Sequence, residues 1–134
     1  MPTDFIIAEA IKEANKSTYK FRVGAILYKG PNIINRAYNT LGFIGYRKNI
    51  FEFEPTRHAE IACLHKIRRK RLKECSILVV RIDKNGDLVS ARPCKACLAA
   101  LNLAKIKKIY YSNYNGEIVR LDNRTKHIKE KKTV

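Results

Sequence analysis

Acidic residues are scarce in this chain: 12 Asp and Glu stand against 28 Lys and Arg, a formal net charge of +16 on 134 residues. An excess that large repels itself and favours polyanionic company, so nucleic acid is the first partner it points to and anionic nucleotides the second. The plainer reading is a lysine-rich surface that keeps a small enzyme soluble. Glycine and proline are also few, six and four, which excludes a low-complexity linker, and no segment repeats. Long apolar runs are missing. The opening MPTDFIIAEA has neither the basic lead of a secretory signal nor the length of a membrane span, so a soluble, cytoplasmic protein with no membrane partner is expected. Cysteines number only four, with a single CxxC at Cys94 and Cys97. In a cytosolic chain that spacing argues for metal or redox chemistry over a disulfide framework, and no second CxxC exists to complete a four-cysteine site.

What is present is one domain's worth of chain, long enough to bury a core. Residues 1–121 read as that domain and 122–134 as a basic tail with little to bury. Over 4–16, Ile7, Ala10, Ile11 and Ala14 share one helical face, with Thr3 or Asp4 available as N-cap. VGAILY (23–28) and NIINRAY (32–38) flank the turn KGPN and predict a hairpin. Residues 39–57 form a long loop whose Phe43, Tyr46, Phe51 and Phe53 either cover a pocket or anchor the loop. A second helix is expected from His58 to Arg71, with Ala59, Ala62, Cys63 and Ile67 inward and Arg68, Arg69, Lys70 and Arg71 crowding its end, where cations suit the helix dipole. SILVVRI (76–82) is the short apolar run of a strand buried on both faces, and DKNGD is a turn. Cys94, Cys97, Leu98 and Leu101 then repeat at helical spacing in a third helix that opens on Pro93 and Cys94. IKKIYYS (106–112), the turn NYNG and EIVRL (117–121) predict a final antiparallel hairpin. The sum is an α/β fold, a three-layer α/β/α sandwich around a mixed five-stranded sheet.

The starts of helices two and three, taken together, make a site. His58, Cys94 and Cys97 are the three protein ligands that a catalytic zinc takes, with water in the fourth position. Spacing of i, i+3 brings both sulfurs to one side of a first helical turn, where free N–H groups favour thiolates. Glu60, two residues beyond His58, is placed to take a proton from zinc-bound water and pass it to a leaving group. H-x-E with P-C-x-x-C is the signature of zinc nucleobase deaminases, in which hydroxide attacks C4 of cytosine or C6 of adenine and ammonia leaves.

HAE at 58–60 and PCKAC at 93–97 resemble the cytidine and deoxycytidylate deaminase superfamily, and the likeness runs through VGAILYKGPNIINRAYNT over roughly residues 3 to 121. It implies Zn2+ held by His58, Cys94 and Cys97, Glu60 as the catalytic proton shuttle, and Asn39 as a contact to sugar or base. Ala59 and Tyr111 complete the candidate substrate contacts. Free cytidine deaminases carry cysteine where His58 stands, so the histidine points to the branch with deoxycytidylate, tRNA-adenosine, guanine and polynucleotide deaminases. NYNGEIVRL looks like a tight hairpin where tRNA and polynucleotide deaminases usually insert a helix. LVVRIDKNGDLVSARPCKACL looks most like the small deaminases of phages and large viruses. Many relatives form dimers or higher assemblies, and a homo-oligomer is compatible with this sequence, although no apolar stripe demands one.

Other features have plain alternatives. Cys63 and Cys75 read as core or surface thiols, His65 as a solvated side chain, and His127 as part of the tail. HKIRRKRLK (65–73) is either a phosphate-binding ridge or a solvated helix face. Tyr110 and Tyr111 face opposite sides of a strand, so at least one is core, and one of Tyr110, Tyr111 and Tyr114 could stack on a base. The expected function is hydrolytic deamination of a nucleobase at its amidine C–N bond, cytosine ahead of adenine or guanine. The substrate would be a cytosine-containing nucleotide or single-stranded DNA or RNA. A free deoxycytidylate deaminase of the nucleotide pool is the first alternative; a tRNA adenosine deaminase or a nucleic-acid-binding module with structural zinc are the others. Glu60 speaks against the last, since a structural zinc has no use for a proton shuttle.

Overall fold

The computed structural model of the protein describes residues 1–41 and 56–121. The basic tail, with His127, and the loop aromatics Phe43, Tyr46, Phe51 and Phe53 lie outside the described residues. In chain order the elements are α1 (Asp4–Asn15), β1 (Arg22–Lys29), β2 (Asn32–Tyr38), β3 (Thr40–Leu41), β4 (Thr56–Arg57), α2 (Ala59–Leu64), α3 (Arg69–Leu72), β5 (Ser76–Ile82), β6 (Leu88–Val89), α4 (Lys95–Leu103), β7 (Lys108–Ser112) and β8 (Ile118–Arg120).

β5 is the central strand. β1 runs antiparallel along one edge, pairing Arg22 with Ile82 through Tyr28 with Ser76. The other edge is shared by β7, parallel to residues 76–79, and β6, antiparallel to Arg81 and Ile82. β2 and β8 extend the sheet antiparallel at its two sides. The sheet therefore has six strands where five are expected. The extra one, β6, returns from the DKNGD turn, in which Asp83 Oδ1 accepts from the N–H groups of Asn85 and Asp87. Two residues of ladder are too short for alternation to reveal.

Alternation along β1, β5 and β7 sorts the core into two layers. Ala25, Leu27, Ile77, Val79, Ile109 and Tyr111 face α2, α3 and α4, whereas Ile26, Tyr28, Leu78, Val80, Ile82 and Tyr110 face α1. That is the expected α/β/α sandwich, and both tyrosines of the pair are core. The final hairpin is also as expected, its turn built on Asn113 Oδ1 accepting from Asn115 and Glu117.

Helix α1 is capped by Thr3, whose hydroxyl accepts from the Ile6 N–H at 3.2 Å. Its buried face is rotated from the expected one: Ile6, Ala10, Glu13 and Ala14 are buried, while Ile7 and Ile11 are marginal. The cause is a close approach at β1. A Cβ built on Gly24 would fall 2.4 Å from the Ala10 carbonyl oxygen and 2.5 Å from the Ala14 nitrogen, so the helix backbone rests directly on that glycine. Buried Glu13 is held by Lys16 at 2.7 Å, with Arg36 of β2 at 3.8 Å.

The helix expected over 58–71 is two short helices, α2 and α3, joined through Lys66 in the left-handed region at φ 66°. Helical phase explains the break. At about 100° per residue, an unbroken helix from Ala59 would bring Lys70 onto the core face and turn Leu72 away. Resetting the phase buries Leu72, 6% exposed, and leaves Arg68, Arg69, Lys70 and Arg71 in solvent. These cations belong to α3 and do not cap α2. Pro93 likewise precedes the cap of α4, Cys94, and is not its first residue.

Two substitutions probe these contacts by chemical denaturation. Gly24→Ala should cost about 3 kcal/mol or more, because the obstructing atoms are helix backbone and cannot swing aside. Lys66→Gly should raise stability by about 0.5–1 kcal/mol through relief of the left-handed backbone.

Candidate metal and catalytic site

The end of the sheet at Arg81 and Ser112 holds the starts of α2 and α4. His58 is the N-cap of α2 and Cys94 that of α4, where the Cys94 sulfur accepts from the Cys97 N–H at 3.4 Å. Ser112 secures the approach to α4: fully buried, its hydroxyl donates to Val89 O at 2.7 Å and accepts from the Arg81 N–H, while its carbonyl accepts from the Ala91 N–H at 2.8 Å. β5, β6, β7 and the segment leading to Cys94 thus meet at one residue.

His58 Nδ1 lies 3.1 Å from Cys97 Sγ and 3.8 Å from Cys94 Sγ, and the three donor atoms all fall within 4.8 Å of one another. The donor set is one imidazole nitrogen and two sulfurs, the types zinc prefers. Tetrahedral zinc with its usual bond lengths would set such donors about 3.6 to 3.8 Å apart, so the group fits zinc on one face of a tetrahedron and leaves a fourth position.

Glu60 sits in the first turn of α2, 5% exposed. Burial raises its pKa, against the opposing pull of its own backbone N–H, His58 and the Cys97 thiol. A carboxyl whose hold on a proton is strengthened by burial is suited to accept one and return it. The Cys97 thiol is itself pushed up by burial, then by the Glu60 carboxylate and Cys94; a bound dication reverses that logic and holds the thiolate.

The candidate substrate contacts are placed differently. Asn39 is buried; its Oδ1 accepts from the Val23 N–H at 2.9 Å and its Nδ2 donates to Phe21 O. The antiparallel pair Thr40–Arg57 joins the residue after Asn39 to the residue before His58. Ala59 is fully buried in the core layer beneath α2. Tyr111 is 4% exposed, its hydroxyl accepting from Arg92 at 3.0 Å. Tyr114 and His65 are exposed. Residue Arg81 was not among the candidates, yet a lone cation inside SILVVRI was the signal. It pairs with Val23, its guanidinium lies 4.6 Å over the Phe21 ring, and its buried Nε has no hydrogen-bond partner among the described residues. Buried orphans of this kind call for an explanation.

Residues 3–113 match the family model of the cytidine and deoxycytidylate deaminase zinc-binding region. No curated protein matches the chain. Among solved structures, cytidine deaminase from Burkholderia pseudomallei superposes with a TM-score of 0.65 at 19% identity, over 91% of this chain and 93% of that one. The apo dCMP deaminase of cyanophage S-TIM5 gives 0.53 at 22% identity, over 84% and 86%. A tRNA:A34 deaminase that edits A to I at the wobble position gives 0.51 at 21%, over 82% and 75%. At these identities the likeness is one of fold. Zinc is the cofactor that both the family region and the donor set support. No helix among the described residues is long and apolar enough to cross a membrane.

Thiol accessibility follows from the geometry. Cys94 is exposed, whereas Cys63 and Cys75 are fully buried and burial pushes Cys63 up to about 12. After chelation, a maleimide at pH 8 should label Cys94 first and leave Cys63 and Cys75 unlabelled until the chain unfolds, as read by peptide mass mapping.

Proposed function

This chain belongs to the cytidine and deoxycytidylate deaminase family, and on that premise we propose that it converts cytosine to uracil by hydrolysis, in a nucleotide or a single-stranded nucleic acid. The observation that carries the reading is the meeting of His58, Cys94 and Cys97 within 4.8 Å with the buried Glu60 against Cys97. These three residues would hold zinc, which when bound acts as a Lewis acid that makes water nucleophilic at neutral pH.

Glu60 takes one proton from the attacking water and passes it to ring N3, then takes the second from the hydroxyl left on C4 and passes it to the departing amine. The water oxygen becomes the C4 carbonyl of uracil, the C4–N bond breaks, and the amine leaves as ammonia. Burial of Glu60 keeps bulk water from competing for that proton and raises the affinity of the carboxylate for it. Asn39 is the proposed sugar or base contact; Ala59 and Tyr111, both buried, back the proposed site from the core layer. Arg81, stacked on Phe21 and linked to Asn39 through Val23, offers a guanidinium edge for a phosphate. That supports a phosphorylated substrate over a free nucleoside. A pool enzyme acting on free deoxycytidylate is the second reading, favoured by the same arginine.

Product analysis with deoxycytidine, deoxycytidylate, cytidylate, single-stranded DNA, RNA and tRNA tests the proposal. Uracil should form from a phosphorylated cytosine substrate; failure with every substrate by a protein binding one zinc per chain would return the site to a structural role. Glu60→Gln should lower kcat by about 10²- to 10⁴-fold while leaving zinc content unchanged, whereas Cys97→Ser should lose the metal. Salt separates the two readings: activity on a polymer should fall about tenfold or more between 50 and 200 mM salt, and activity on a mononucleotide far less.

A further inference from the structure

At the other end of the sheet from the metal donors, a cavity of about 790 Å³ opens where β5 begins, between the β1–β2 turn and the start of β7. β5 spans seven residues, so roughly 20 Å of strand separates this cavity from the metal site. Four lysines line it, Lys29, Lys73, Lys107 and Lys108, with one carboxylate, Glu74. Only Lys29 has a carboxylate, Glu74 at 2.8 Å; among the described residues no acid pairs with the other three. Glu74 is held below the usual carboxylate range by Lys29, with Lys70 and Arg71 of α3 adding to the effect, so the positive field continues onto the basic helix. Like charges gathered around one concavity repel each other until an anion joins them, and such a cleft concentrates anions from solution.

Hydroxyls complete the lining. Tyr28 and Ser76, directly opposite each other across β1 and β5, line the cavity with their hydroxyls. Burial, then Tyr110, raises the pKa of the Tyr28 phenol, which keeps it a donor that an anion can accept from. We propose that this cavity is a second binding site, independent of the deamination chemistry, that takes a chain of phosphates. Lys73, Lys107 and Lys108 are its charge contacts, with Tyr28 and Ser76 as neutral donors. Phosphates of that kind come from free nucleoside polyphosphates or from the backbone of a single strand. The residues 65–73 singled out in the sequence then have a purpose at their C-terminal end, through Lys73.

Calorimetric titration of the zinc-loaded full chain with inorganic triphosphate at moderate salt tests the site. Saturable one-to-one binding is expected, weakened at least about tenfold, or about 1.4 kcal/mol, in Lys73→Ala/Lys107→Ala/Lys108→Ala. The exposed control Lys12→Ala/Lys84→Ala/Arg120→Ala removes equal charge elsewhere and should weaken it by less than about threefold, since only long-range screening changes. Tyr28→Phe should weaken it by about threefold with folding retained. Equal losses in the two triple variants, or no saturable binding by the parent chain, would overturn the proposal. A 12-nucleotide single strand and a deoxynucleoside triphosphate as competitors identify the source: displacement by the strand, lost in the cavity triple, assigns nucleic acid, and displacement by the free triphosphate alone assigns a nucleotide. Because the readout is binding, it holds whether or not the chain deaminates cytosine.

Discussion

A histidine and two cysteines separated by 36 and 39 residues meet only if the elements carrying them are clamped to one frame, and β5 is that clamp. Its full length is paired to β1 on one edge, while β7 and β6 divide the other. Apolar side chains on both faces bury it between α1 and the other three helices. α2 packs over β1 and β2, and α4 starts just past β6, so fixing those strands to β5 fixes the distance between His58 and Cys94. Ser112 is the point at which this is felt most directly, since its hydroxyl and carbonyl together tie three strands and the lead into α4. The clamp on the opposite face is the contact of α1 with Gly24, where no side chain separates helix from strand.

That frame delivers polar groups into a dry setting. Two helix starts put unsatisfied N–H groups at the site, which suits thiolates and an ionised carboxylate, while burial of Glu60 and Cys97 pulls the other way. For the proposed chemistry the burial of Glu60 is useful, because it strengthens the hold of the carboxylate on the proton it is to carry. Arg81 adds a cation at the same end of the sheet, with a buried nitrogen that has no hydrogen-bond partner among the described residues.

Charge is distributed with the same economy. Several of the few acids serve structure: Glu9 and Glu13 bind Arg36, Lys12 and Lys16 across α1 and β2, Asp83 shapes a turn, and Glu117 meets Asn113. At the cavity where β5 begins, Glu74 is the one carboxylate in a lining that holds four lysines. The lysines at the start of β5 lie at the end of that strand away from the proposed metal ligands, so the proposed phosphate site is separate from them.

Local patterns decided much of this from the chain alone. The apolar run SILVVRI, the Gly and Asn turns, and the alternation that puts Tyr110 and Tyr111 on opposite faces follow from periods of two and 3.6, which need no knowledge of neighbours. His58, Cys94 and Cys97, which the structure brings together, and Glu60, the proposed proton carrier, could be picked out as candidates for a similar reason: metal and proton chemistry restrict residue type and spacing tightly. Only the tertiary structure decided the rest. The break at Lys66 depends on where Leu72 must sit against the core, the rotated face of α1 on the bare backbone at Gly24, and the sixth strand on an edge of β5 that β7 leaves uncovered. Arg81, Ser112 and the four lysines of the cavity come from separate stretches of chain, and their meaning lies in distances that exist only once β5 has gathered its neighbours.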